Sequence, residues 1–160
     1  MTSSPSGPAK TPTAALGASD RGPIVSAVAN TSWEVGLAEL FGTRLSVSQL
    51  TDTRDFATTI QHLNNVAPYQ ILMSESHAKS DLYTCLSKRF NVVLVARSQF
   101  NETRGGQLVE EIASDKIQAR DVAARYLGRA AAAALISYVE RLQGGTRFAR
   151  GSLSVIVDPW

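Results

Sequence analysis

The sequence predicts an α/β domain built on a mixed sheet, an antiparallel meander followed by parallel strands, with helices flanking it. Three observations predict it. Three short strand-like runs follow one another between Ile24 and Leu50 with links long enough only for hairpins. Helix-patterned segments then each precede a short run with an apolar centre, YQILMS and NVVLVA, of the kind that a parallel strand buried on both faces needs. The composition, 44% hydrophobic and 19% charged over 160 residues, lies in the globular range and makes one domain the expectation.

The elements follow in order. From Met1 to about Pro23 the chain is mostly Ser, Pro, Thr, Gly and Ala. Such a segment buries too little apolar surface to offset roughly 1–2 kcal/mol of backbone entropy per residue. A disordered tail is expected over residues 1–23 and a folded domain over 24–160, cut short at its C-terminus. Ile24 to Ala29 reads as the first strand, Trp33 to Phe41 as the second and Thr43 to Leu50 as the third, where Gln49 interrupts an otherwise apolar face.

Asp52 or Thr53 is the expected N-cap of a helix running to Asn65, with Phe56, Ile60 and Leu63 at helical spacing and Pro68 behind it. Tyr69 to Ser74 and Asn91 to Ala96 are the buried strands. Between them Ala78 to Phe90 is the second helix, with Leu82, Cys85, Leu86 and Phe90 inward. Crossovers of this kind place the later strands parallel. A short helix from Gly106 to Ala113 and a long one from Ala119 to Leu142 follow. The long helix carries an apolar stripe from Val122 and Ala123 through Leu135 to Leu142, its alanines allow close packing, and Gly128 is its weak point at about 1 kcal/mol relative to Ala. Gly144-Gly145 ends it, and Leu153 to Val157 reads as a final strand.

Charge and cysteine use narrow the function classes. A formal charge of +2 is too small to attract a polyanion in bulk, so any nucleic-acid contact needs a local patch. Seven basic residues against two acids between Lys116 and Arg150 supply one, and Arg120, Arg125, Arg129 and Arg147 are its candidate DNA-backbone contacts. The same charges also suit a plain solvated helix face. No aromatics interleave with these arginines on that helix face, which argues against base stacking. Cys85 stands alone, so neither a disulfide framework nor a cysteine zinc cluster is expected. No apolar run approaches the roughly 18 residues of a membrane span, so no membrane association is expected, and a secretory signal pattern is lacking.

Catalytic patterns are thin. Ser74-Glu75-Ser76-His77 holds hydrolase letters without a Gly-x-Ser-x-Gly elbow and reads as a strand-to-helix turn. His62 is expected on a helix surface and Cys85 in the core.

Several strings carry a family resemblance. Gly36-Leu37-Ala38-Glu39-Leu40 followed by Ser48-Gln49-Leu50-Thr51-Asp52 resembles the opening hairpin of the connector domain, domain II, of MutS proteins. Leu63 to Ser74 is similar to the helix, Pro and hydrophobic passage of that domain, with Gln70 where relatives usually carry Glu. Phe100-Asn101-Glu102-Thr103-Arg104-Gly105 and the alanine-rich Ala132 to Glu140 look like the meiotic branch of the family.

The resemblance implies a ribonuclease-H-like sheet flanked by helices. It also implies a non-catalytic connector for DNA mismatch repair or meiotic recombination, a heterodimeric MutS-family partner, indirect contact with branched or mismatched DNA, and a nuclear location. ATP is implied only for full-length relatives, because this chain holds no Gly-x-x-x-x-Gly-Lys-Ser/Thr string; no cofactor is expected here. A nuclease of the same fold needs several convergent carboxylates, whereas the first strand has no acid and only Asp55 and Glu75 stand near the other positions. A free-standing interaction domain is the other alternative. For Phe100, Asn101, Glu102, Thr103 and Arg104 two readings stand open: a docking loop, or a helix cap in which Asn101 or Thr103 bonds the first turn and Gly105 supplies a permissive turn.

Overall fold

The computed structural model describes residues 24–158, and the expected tail over 1–23 lies outside them. Strands β1 (Val25–Thr31), β2 (Glu34–Phe41) and β3 (Arg44–Thr51) form the meander. Both hairpins turn on two residues, and each puts positive φ at the first of them, Ser32 at 53° and Gly42 at 64°. The mirror-image turns that match strand twist require that sign. The first turn thus falls at Ser32-Trp33, two residues later than the apolar run suggested, because Asn30 and Thr31 continue the ladder against Val35 and Glu34.

Helix α1 (Ala57–Val66), strand β4 (Gln70–Ser74), helix α2 (Asp81–Ser87) and strand β5 (Val92–Val95) follow, then helices α3 (Glu102–Ile112), α4 (Lys116–Asp121) and α5 (Tyr126–Leu142) and strand β6 (Ser154–Val157). The sheet order is β5-β4-β1-β2-β3-β6. β1, β2 and β3 pair antiparallel, β4 lies parallel to β1, β5 parallel to β4, and β6 parallel to β3. This is the expected mixed, ribonuclease-H-like sheet.

Strand alternation divides the core into two layers. Ala27, Ala29, Ala38, Leu45, Val47 and Leu72 face α3, α4 and α5. Val28, Val35, Leu37, Ile71 and Met73 face Leu63 of α1 and Leu82 and Leu86 of α2. On the first face, small residues on both sides bring α5 down onto the strands. A Cβ on Gly36 would stand 2.3 Å from the Leu127 carbonyl carbon, and one on Gly128 would stand 2.7 Å from Val47 Cγ1. Gly128, expected as a weak point of the helix, is where that helix meets the sheet.

Several expectations are corrected. The long helix is two helices: it breaks at Val122–Ala124, a 3-10 turn, and Arg125, which has left helical geometry at φ −108°, ψ 75°. The Arg125 guanidinium there bonds the Asp121 carbonyl at 2.9 Å and the Asp158 carboxylate. Ala123 and Leu142 are exposed rather than buried on the stripe. The second helix is shorter than expected because two serines each start a turn: Ser74 accepts from the Ser76 N–H before a 3-10 turn over Glu75–His77, and Ser80 accepts from the Tyr83 N–H at the start of α2. Strand β5 is an edge, half-covered, with Leu94 exposed, so its apolar run marked strand but not full burial. α3 begins at Glu102, four residues before the expected start, because Asn101 caps it.

Helix α1 starts at Ala57, with Phe56 in left-handed geometry before it and no cap of its own. Asp52 nevertheless does the capping from β3's end, accepting from the Thr58 N–H at 3.2 Å, the Thr59 N–H at 2.7 Å and the Thr59 hydroxyl at 2.6 Å. Burial works against its charge, but these bonds, Thr59's first, outweigh it and hold the carboxyl below its ordinary value.

Candidate nucleic-acid interface

Helices α4 and α5 and the chain after them carry the basic segment, and α3 packs beside it. The break at Arg125 decides which of its arginines share a surface. Upstream of the break, Arg120 leaves the exposed side of α4. Downstream, Arg129 leaves the first turns of α5 and lies along α3: a Cβ on Gly106 would meet its Cδ at 3.3 Å and its Nη1 at 3.5 Å. Both line an open groove of about 550 Å³ with Lys116 and Arg150.

Two acids share that groove, Glu110 and Glu111. Lys116 Nζ donates to the Glu110 carbonyl, and Arg150 lies 3.7 Å from the Glu111 carboxylate in an exposed, weak pairing. Among the described residues neither the Arg120 nor the Arg129 side chain has a hydrogen-bond or ion-pair partner, and the Arg129 Nε is buried without an acceptor.

The other two candidates stand elsewhere. Arg125 does not line the groove; its Nε donates to Asp158 Oδ2 at 2.8 Å, tying the start of α5 to the end of β6. That carboxylate raises the guanidinium's already high pKa. Arg147 is exposed beyond α5 and does not line the groove.

In the segment Phe100–Gly105 the first two residues precede α3 and the other four open it. Asn101 Oδ1 accepts from the Arg104 N–H at 2.9 Å, Phe100 packs against the core, and Glu102, Thr103 and Arg104 form the exposed first turn of α3. Gly105 is helical rather than a turn: a Cβ there would lie 1.8 Å from the Arg129 carbonyl oxygen, so α3 and α5 touch backbone to backbone. Sequence reasoning anticipated the cap and missed the crossing.

It also missed two polar clusters. His62, expected on a surface, places Nε2 2.7 Å from the Glu39 carboxylate, which is buried and also accepts from the Ser26 hydroxyl at 3.3 Å. The signal was present: Glu39 sits between Ala38 and Leu40 in a central strand, where an acid needs a partner. Gln49, which interrupted the apolar face of β3, accepts from the Leu127 N–H at 2.7 Å and the Gly128 N–H at 3.3 Å and so caps α5. Beside it Tyr126 donates to Glu34 at 2.5 Å, which raises the phenol's pKa.

Asp55 is exposed and accepts from the Thr53 hydroxyl at 2.5 Å, and Glu75 is exposed at the end of β4. Among the described residues no three His, Cys, Asp or Glu side chains are grouped to hold a metal ion. Ser74 and Ser76 bond each other at 2.7 Å, within the turn before α2. Cys85, expected in the core, is half-buried at the rim of a second groove with Asp55, Ile60 and Arg89. Among the described residues no helix is long and apolar enough to cross a membrane.

No family model matches the chain. It is 32% identical over 133 residues to MutS protein homolog 4 of Mus musculus, a match covering 76% of this chain and 14% of that relative. The match to MutS protein homolog 4 of Homo sapiens has the same coverage at 31% identity. The chain thus spans about one-seventh of the length of these curated relatives, and over most of its own length it resembles the MutS family.

Proposed function

We propose that this chain is the non-catalytic connector domain of a MutS-family protein of DNA mismatch repair and meiotic recombination, linking the parts of a DNA clamp. The observation that carries this reading is the similarity to MutS protein homolog 4 over 76% of the chain, most of which is the α/β unit. A connector transmits position rather than performing chemistry, and the tight seating of α3 and α5 on each other and on the sheet suits that task. The reading brings with it a heterodimeric partner of the same family, indirect association with branched or mismatched DNA, and a nuclear location. ATP would be bound by other domains of such a protein.

Sequencing the transcript past the codon for Trp160 tests the linking role. A downstream nucleotide-binding loop of the Gly-x-x-x-x-Gly-Lys-Ser/Thr type is expected. A stop codon there would instead make this a free-standing interaction domain. Metal-dependent cleavage of any nucleic acid, abolished by Asp55→Asn with Glu75→Gln, would overturn the non-catalytic reading in favour of a nuclease.

A further inference from the structure

The groove between α3 and α4 holds two arginines that the fold positions but does not use. Gly106 leaves room for the Arg129 stem to lie along α3, and α4 ends where Arg120 reaches the same hollow. The Arg129 Nε–H is buried with no acceptor among the described residues. A guanidinium in that state has lost part of its hydration without gaining an anion, so an entering anion meets a cation already partly desolvated, where attraction is stronger than at an open surface. Lys116 and Arg150 add charge at the rim, while Glu110 and Glu111 limit the net excess.

We propose that this groove is a phosphate site, in which Arg120 and Arg129 together hold one phosphodiester of a DNA backbone. Guanidinium forks suit phosphate oxygens, and two of them lining one hollow can serve one phosphate. The two glutamates argue against a polyanion tracking the whole groove, which makes the contact local and independent of base sequence. The choice of DNA as the source of the phosphate rests on the MutS-family reading, to whose indirect association it adds one direct backbone contact; the phosphate chemistry does not rest on it. Arg125, held by Asp158, and Arg147, outside the groove, take no part.

The test has two arms. Amide NMR of the nitrogen-labelled chain is followed during titration with inorganic phosphate and, at matched ionic strength, with chloride. Shifts specific to phosphate and confined to Gly106, Arg120, Arg129 and their neighbours are expected; shifts shared with chloride or spread over the surface would overturn the site.

In the second arm, fluorescence anisotropy measures binding to a labelled duplex between about 50 and 200 mM salt. One phosphate contact contributes about 0.9 to the log–log slope, which is roughly a 3.5-fold loss of affinity over that range. Arg120→Gln, Arg129→Gln and the double variant should each remove about that one contact, because both side chains serve the same phosphate. Lys79→Gln, an equal charge change on an exposed residue before α2, should leave the slope as it was. Arg120 is exposed on α4, so its variant keeps the test valid if Arg129→Gln fails to fold. DNA binding with slopes unaltered in the arginine variants would overturn the groove while leaving the connector reading intact. Phosphate-specific shifts in a chain with no affinity for the duplex would overturn DNA as the occupant.

Discussion

Gly105 and Gly106 are neighbours in the same helix, and replacing each by Ala should move stability in opposite directions. Helix propensity treats the two alike: Gly→Ala in a helix interior stabilises by about 0.8–1 kcal/mol. The surroundings differ. At Gly106 the nearest atoms to a new Cβ are the flexible Arg129 Cδ at 3.3 Å and Nη1 at 3.5 Å, which a small rotation relieves.

At Gly105 the new Cβ falls 1.8 Å from the Arg129 carbonyl oxygen and 2.6 Å from its carbonyl carbon, both backbone atoms of α5. No rotamer removes that overlap, so α3 must move away from α5 by more than an ångström. A radial gap of about 0.5–1 Å forfeits roughly a quarter to a half of the dispersion attraction across it. Leu108, Val109 and Ile112, buried on the same side of α3, contribute about 1.5–3 kcal/mol each. Losing a quarter to a half of that, then regaining the propensity term, leaves Gly105→Ala destabilised by about 2 kcal/mol.

For a domain of this size that lowers Tm by roughly 6–8 °C, while Gly106→Ala raises it by up to about 4 °C. Urea and thermal melts followed by far-UV circular dichroism measure both. Equal shifts of the same sign would refute the backbone contact between α3 and α5.

Three further outcomes follow from the polar clusters. Asp52→Asn should weaken the start of α1 by about 1 kcal/mol at neutral pH. Because the folded-state pKa lies below the ordinary carboxylate value, the stability that the carboxylate contributes is present above that value and disappears as pH falls through the folded pKa; urea melts across the acid range should show the parent and variant curves converging there. His62→Ala leaves the buried Glu39 carboxylate with only the Ser26 hydroxyl and should cost about 2–4 kcal/mol, less than a fully enclosed pair because His62 still reaches solvent; Glu39→Gln should cost distinctly less, and equal losses in denaturant melts would contradict the pairing. Gln49→Ala should remove the cap from α5 at a cost of about 1–2 kcal/mol, with faster amide exchange at Leu127 and Gly128, and unchanged exchange there would refute the cap.

The sequence by itself determined the order and kind of the strands and the place of the helices, but not the break that makes two helices of the expected long one. Period-two alternation in β3 and the apolar centres of β4 and β5 are local signals, set by which face of a strand meets water. The Asn101 cap was legible for the same reason, since donor and acceptor lie three residues apart. Tertiary structure decided what long-range partners impose. Gln49 looked like a fault in a strand until the α5 terminus stood over it, and Gly128 looked like a flaw in a helix until Val47 stood beneath it.

The arginines show the same division. Their spacing placed Arg125 and Arg129 on one helix, but Asp158, distant in sequence, binds Arg125 at the break before α5, so Arg129 shares a groove with Arg120 instead. Local patterning records whether a residue prefers water or core. It carries no record of which distant backbone approaches, because that depends on the packing of the whole sheet and its helices.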